Sequence, residues 1–332
     1  MSSSPAPTLS DWAPFRIAPR FDSRPWGSTD LRPWYDKVAQ GEPLGEAWLT
    51  GDDSLIATGP HAGMALGALF AQAPEPLLGA AAAHGAVSPL LIKVIFAKQK
   101  LSVQVHPDDA MAQKYGQPRG KTECWYVLAA DPGAQVACGL KPGVTLEQVK
   151  NGISDGTLEH SLNLLDVKAG EMIFVDAGTV HAIWPGTVLL ETQQNCDLTY
   201  RMYDYGRPRQ LHVEKSLEAT RLSTRAGKVA PRLLADRSIL IDGNYFRVER
   251  IPVNRTLSAA GLRAPDESQP GLSYLFAAAG AARILSPSAT FAPFDLPPRG
   301  IIAVPAAAPN FVLEDAGGLD LIRMTPHWPS GL

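Results

Sequence analysis

The sequence predicts a mostly β protein, built as two β-sandwiches with a few short helices. Three observations carry that expectation. Between residues 90 and 203, short runs of β-type residues alternate with turns. From 238 to 323, strand-like pieces recur at a spacing of roughly 10–15 residues, as in a second sandwich. Glycine and proline, 29 of each in 332 residues, suit a chain that turns often, yet fall short of a low-complexity composition.

In chain order, the first eight or so residues, MSSSPAPT, read as a loose tail. Residues 22–50 are turn-rich, with RPWG at 24–27 and GEAWL at 45–49. The stretch 64–73 reads as a helix stopped by Pro74-Glu-Pro76. Strands are expected at 90–97, 101–106, 122–128 and 135–139. Pro107 opens and Gly116 closes a helical turn at 108–115. Thr145-Leu-Glu-Gln148 is a capping-box pattern, so a short helix should cover 145–151, and another should cover 156–162. Strands resume at 171–175, 180–184, 188–194 and 197–203, and 211–219 reads as a helix. Residues 225–232 read as a linker. The expected domains are therefore 1–225, carrying the chemistry, and a smaller one at 226–332.

Composition narrows the function. A net charge of −3 does not build the basic surface of a nucleic-acid binder, but leaves room for a small cationic pocket. The sequence holds no clean apolar run of about 18 residues, and its start has neither the basic nor the apolar part of a secretory signal. A cytoplasmic protein with no membrane partner is expected. Cys124, Cys138 and Cys196 are odd in number, widely spaced and outside any CxxC pair, which reads as reduced thiols.

Three constellations carry chemistry. In Gln104-Val-His106-Pro, alternation along a strand puts Ser102, Gln104 and His106 on one face. In Lys121-Thr-Glu123, an amine and a carboxylate share a face in the same way. The run from Gly170 to His181 reads strand, tight turn, strand, with a histidine just past the second turn. It matches the second cupin motif except that Asp176 stands at the proline position. Gln104, His106, Glu123 and His181 then form a four-ligand set of two imidazoles, a carboxylate and an amide oxygen. That set suits zinc or a similar divalent ion, one per chain, with positions left open for water or substrate.

These motifs resemble class I, zinc-dependent mannose-6-phosphate isomerases in their short bacterial form. The resemblance runs through WG at 26–27, GEAW at 45–48, LIKVIFAKQKLSVQVHPDD at 91–109, GKTECWY at 120–126 and GTVHAI at 178–183. It continues through ETQQNCDLTYRMYDYGR at 191–207 and LHVEKSLEAT at 211–220. It implies a metal-bearing cupin plus a degenerate cupin-like domain, and it implies zinc on Gln104, His106, Glu123 and His181. It also implies a phosphorylated hexose as substrate, and Lys121, Asp197 and Arg201 as catalytic residues. Near Lys121 the chain departs from the longer forms, with Gly120 in place of a histidine. Aldose–ketose conversion moves a proton between C2 and C1 through a cis-enediol. It needs a cation near O1 and O2, a base of suitable pKa and a phosphate pocket. Lys121, desolvated and depressed in pKa by the nearby metal, is the expected base, with a zinc-bound water, Asp197 and Glu123 as competitors; Asp197, four residues before Arg201, is expected to orient Arg201 or to assist ring opening. Lys93 and Ser102 are candidates for the phosphate. His61, His84, His160, His212 and His327 read as structural or exposed. A monomer or weak homodimer is expected. The competing readings are a metal-dependent cupin oxygenase and a non-catalytic sugar-binding cupin.

Overall fold

In the computed structural model, which describes residues 9–253 and 255–328, Leu90–Ala97 (LLIKVIFA) forms a strand buried at every position. A β-branched, apolar run of this length is what a strand covered on both faces requires. It pairs antiparallel with Thr187–Gln194 over its full length, and that strand pairs with Glu123–Ala130. A seven-stranded sheet grows around them in the order Gly227–Lys228, Met172–Val175, Glu123–Ala130, Thr187–Gln194, Leu90–Ala97, Leu44–Thr50, Arg20–Ser28. A five-stranded sheet follows the order Tyr200–Tyr203, Val103–Val105, His181–Ile183, Gln135–Leu140, Leu162–Asp166. Ile95, Trp125, Val127 and Leu189 of the first meet Val136, Cys138 and Ile183 of the second in one buried core. The chain is 38% strand and 16% helix, the mostly β class expected.

Contacts divide the chain into two compact units of similar size. One comprises Phe21–Trp48 and Leu90–Ala230; the other Met1–Arg20, Leu49–Pro89 and Pro231–Leu332. The second break lies close to the expected boundary, but residues 1–225 are not one domain. Phe15–Ile17 hydrogen-bonds along Ile301–Val304, and Ala306 N donates to Leu77 O, which ties both N-terminal segments to the C-terminal third. That unit is itself a β-sandwich. Its seven-stranded sheet is centred on Ser273–Ala279 and Asp320–Pro326, and its four-stranded sheet on Val312–Asp315 and Ala282–Leu285. Leu275, Ile284, Leu313 and Leu321 are among its core residues.

Two expectations fail for identifiable reasons. Residues 22–50 hold two strands rather than a chain of turns. Gly27 and Gly45 mark close approach there: a Cβ on Gly27 would lie 2.4 Å from the Leu44 carbonyl carbon, and one on Gly45 2.4 Å from Arg24 Cβ. Pro25 is tolerated because Arg20–Ser28 is an edge strand. The supposed linker is also partly paired, with Gly227 opposite Phe174 and Lys228 opposite Ile173. The capping box is present: Gln148 N donates to Thr145 Oγ1, and Thr145 N donates to Gln148 Oε1 at 2.8 Å, opening the helix Leu146–Asp155. The expected loose tail lies outside the described residues. Among those residues no helix is long and apolar enough to cross a membrane.

Candidate active site

In the five-stranded sheet, His181 is the register partner of Gln104, and Gln104 that of Arg201. Side chains directly opposite in a ladder share a face, so these three form a row across the sheet. His106 follows one residue past the end of the Val103–Val105 strand. Its carbonyl accepts from Gly178 N at 2.8 Å. Gly178 has φ +88°, and a Cβ there would also meet Arg221 Cδ at 2.7 Å, so the turn that aims His181 requires glycine. Asp176, at the proline position of the motif, closes this turn by accepting from Thr179 Oγ1 at 2.9 Å. Glu123 comes from the other sheet. The expected ligands are thus drawn from two sheets.

His106 Nε2 lies 3.6 Å from Glu123 Oε2, and His181 Nε2 3.4 Å from Glu123 Oε1. The ligand atoms of the three residues all lie within 4.8 Å of one another. Gln104 Nε2 is 3.2 Å from His181 Nε2. Each imidazole turns Nδ1 to a backbone carbonyl, His106 to Leu198 O at 2.8 Å and His181 to Thr179 O at 2.9 Å. A carbonyl only accepts, so Nδ1 carries the proton and the Nε2 lone pair faces the cluster. Burial, reinforced by Lys121, pushes the His181 ring down to about 4 and the His106 ring well below its usual value. Both are therefore neutral near pH 7, the state in which imidazole binds metal. His106 Nε2 and both Glu123 oxygens are buried without a well-formed hydrogen bond, although Lys121 Nζ comes within 3.0 Å of Glu123 Oε2. Converging buried acceptors without donors are costly, and a divalent cation is the group that fits them.

Beside this cluster lies a cavity of about 540 Å³ whose wall includes Gln104 and Lys121. Five cationic side chains line it (Arg24, Lys93, Lys121, Arg201 and Arg209) against three carboxylates (Glu46, Glu191 and Asp197). The surplus of positive charge favours an anionic ligand.

The catalytic-domain family described as phosphomannose isomerase type I matches residues 15–134. A mannose-6-phosphate isomerase of Streptococcus mutans is 35% identical over 249 residues, which is 71% of this chain and 77% of the relative. The chain belongs to the type I phosphomannose isomerase family. The crystal structure of the mannose 6-phosphate isomerase from Bacillus subtilis superimposes with a TM-score of 0.82 at 28% identity, covering 94% of this chain and 99% of that one. A mannose 6-phosphate isomerase bound with zinc and yttrium shares the fold, with a TM-score of 0.73 at 17% identity over 95% of this chain and all of that one.

In this phosphomannose isomerase the structure brings Lys93, Ser102, Lys121, Asp197 and Arg201 to one cavity, but it does not pair Asp197 with Arg201. Asp197 does not orient Arg201. It accepts from Lys93 Nζ at 2.9 Å, while Arg201 Nη1 donates to Gln210 O at 2.9 Å and its buried Nε has no partner among the described residues. The four-residue spacing would join them on a helix, but here the chain is extended through Tyr200–Tyr203. In the metal-free chain, burial alone would lower the Lys121 pKa, but Glu123, Glu191 and Asp197 outweigh burial and hold the ammonium charged. Ser102 Oγ donates to Gln104 Oε1 at 3.2 Å.

Gly120 has no room for the histidine of the longer forms, because a Cβ there would lie 2.4 Å from the Asp108 carbonyl carbon. His212 is structural: its Nδ1 accepts from Arg201 N at 3.2 Å, fixing the Arg201 backbone. All three cysteines are free, and burial pushes the Cys138 thiol up to about 12.

Sequence reasoning missed Arg24, Glu46, Trp48 and Glu191. Trp48 Nε1 and Arg24 Nη2 both donate to Glu46 Oε2 at 2.7 Å, and Lys93 Nζ sits 4.2 Å from the Trp48 ring centroid. Strand alternation in GEAW, which sets Glu46 and Trp48 on one face, was the available signal. Glu191 is the register partner of both Lys93 and Trp125. Burial pushes its carboxyl up, helped by Glu123 and Glu46 and opposed by Lys121 and Lys93.

Proposed function

We propose that this chain interconverts mannose 6-phosphate and fructose 6-phosphate in this cavity, with zinc held by Gln104, His106, Glu123 and His181. The observation that carries the reading is the convergence of buried acceptors on His106 and Glu123, met at Glu123 Oε2 by the Lys121 ammonium, beside a cavity with a surplus of cations. When bound, the metal supplies Lewis-acid stabilisation of the negative charge that develops on the sugar oxygens.

The side chains divide the remaining work. Arg201, the wall cation with no carboxylate partner among the described residues, stabilises charge on the enediol oxygens. Lys121, held protonated, donates a hydrogen bond to the same oxygens. Glu191, the wall carboxyl pushed upward, takes the C2 proton and returns it to C1. Asp197, at the exposed rim, is assigned to ring opening. Lys93 and Ser102 are assigned to the phosphate, which displaces Asp197 from the Lys93 ammonium.

Chelation followed by reconstitution tests the reading. Mannose 6-phosphate turnover is expected to vanish with the metal and to return with zinc without oxygen consumption. Undiminished turnover in metal-free protein contradicts it. Return only with iron or copper, accompanied by oxygen uptake, would favour a cupin oxygenase.

A further inference from the structure

We propose that the second unit carries a binding pocket of its own for a small carboxylate with an apolar flank. The pocket is a cavity of about 270 Å³. Arg263 and Arg323 are the charged side chains on its wall, and no carboxylate lines it. Leu262 and Phe311, both buried, form part of an apolar side; Ser273 and Asn310 add a hydroxyl and an amide.

The placement follows from the sandwich interior. Glu249 and Arg323 are register partners on the strands Phe246–Pro252 and Asp320–Pro326. Two residues along, Ile251 and Leu321 form another register pair, which lies in the apolar core. The inner face is therefore apolar at one end and charged at the other. Arg323 is only 3% exposed, and its two terminal nitrogens are taken: Nη1 by Glu249 Oε2 at 2.5 Å and Glu267 Oε1 at 2.9 Å, Nη2 by Glu267 Oε2 at 2.6 Å. Its Nε is buried with no hydrogen-bond partner among the described residues. Behind it, Arg237 donates to Leu262 O and Gly261 O at 3.0 and 2.8 Å, which holds the cavity wall in place.

A buried guanidinium with a spare donor is costly unless an acceptor completes it. The Arg263 guanidinium has no hydrogen-bond or ion-pair partner among the described residues, so one unpaired positive charge stands at the half-buried rim of the cavity. One unmatched charge, a spare N–H and an apolar wall match a monoanion better than a phosphate dianion, which would approach Glu249 and Glu267 with surplus negative charge.

The probe is 4-fluorobenzoate, titrated into the metal-loaded full chain and followed by fluorine NMR, with inorganic phosphate as the competing anion. The expected result is saturable broadening with a Kd below about 1 mM, unaffected by saturating mannose 6-phosphate. Arg263→Ala is expected to weaken it at least about tenfold, the loss of one charge-assisted hydrogen bond. Ala308→Trp, which fills the cavity from a different wall position, should abolish binding, and turnover should be unchanged in both variants. Absence of saturation at about 10 mM, displacement by mannose 6-phosphate, tighter binding of phosphate, or undiminished binding in both variants overturns the proposal. The outcome does not depend on the isomerase reading, because the site shares no residue with the catalytic cavity.

Discussion

At the scale of single residues, charge state decides the chemistry. Lys121→Met keeps most of the stem and removes the ammonium that lies 3.0 Å from Glu123. In the metal-loaded protein, kcat should fall by at least about 10², the range for removing a positioned proton donor. Metal content should stay full, since Glu123 still faces a cation. Steady-state kinetics and metal analysis on one preparation check this; lost metal would make Lys121 a structural neighbour of the ligand set. Glu191→Gln should cost a similar factor in kcat with little change in KM, and a native kcat would remove it as the base. His106 and His181 set a pH dependence for the metal-free chain. Their folded pKa values are depressed, to about 4 for His181, below an unfolded value of about 6.5. The unfolded state then binds more protons between those limits, so the stability is intact above about pH 6.5 and drains away as pH falls toward 4. For His181 alone the loss reaches about 3 kcal/mol. Urea unfolding across that range should show a shallower fall in His181→Gln than in the native chain.

At the scale of elements, what the sequence revealed depended on which force set each element. Leu90–Ala97 was legible to the residue because an apolar β-branched run has little alternative to a central strand. The Leu146–Asp155 helix was legible at its start because the capping box is local, while its end, at Gly156 with φ 78°, lay beyond the expected one. Arg20–Ser28 and Leu44–Thr50 were illegible because their glycines and proline look like turn formers until the facing strand is known. The convergence of His106, Glu123 and His181 was legible because alternation and one glycine turn place them. The Asp197–Lys93 pair was not, since it joins residues 104 apart in sequence. Gly45→Ala tests the close-approach account. Its Cβ would collide with Arg24, so the change should cost about 1–3 kcal/mol in urea unfolding. It should also lower kcat/KM, since Arg24 and Glu46 line the cavity; native stability would show that the strands can part freely.

At the scale of the whole molecule, the two sandwiches were legible from strand spacing, but their membership was not, because a contiguous reading misses N-terminal segments that complete a C-terminal sheet. Truncation after Arg225 would strip Phe15–Ile17 of its partner strand and remove Gly227–Lys228 from the edge of the site-bearing sheet. Insoluble protein is expected, and a soluble, active 1–225 fragment would contradict the account. The central claim is proton transfer through an enediol in the cavity beside His106, Glu123 and His181. Incubating the metal-loaded protein with mannose 6-phosphate in heavy water tests it most directly, by following product and isotope together in the proton NMR spectrum. The account predicts fructose 6-phosphate carrying deuterium at C1, with deuterium appearing at C2 of the remaining mannose 6-phosphate. No fructose 6-phosphate, or fructose 6-phosphate formed with no deuterium at either carbon, would contradict it.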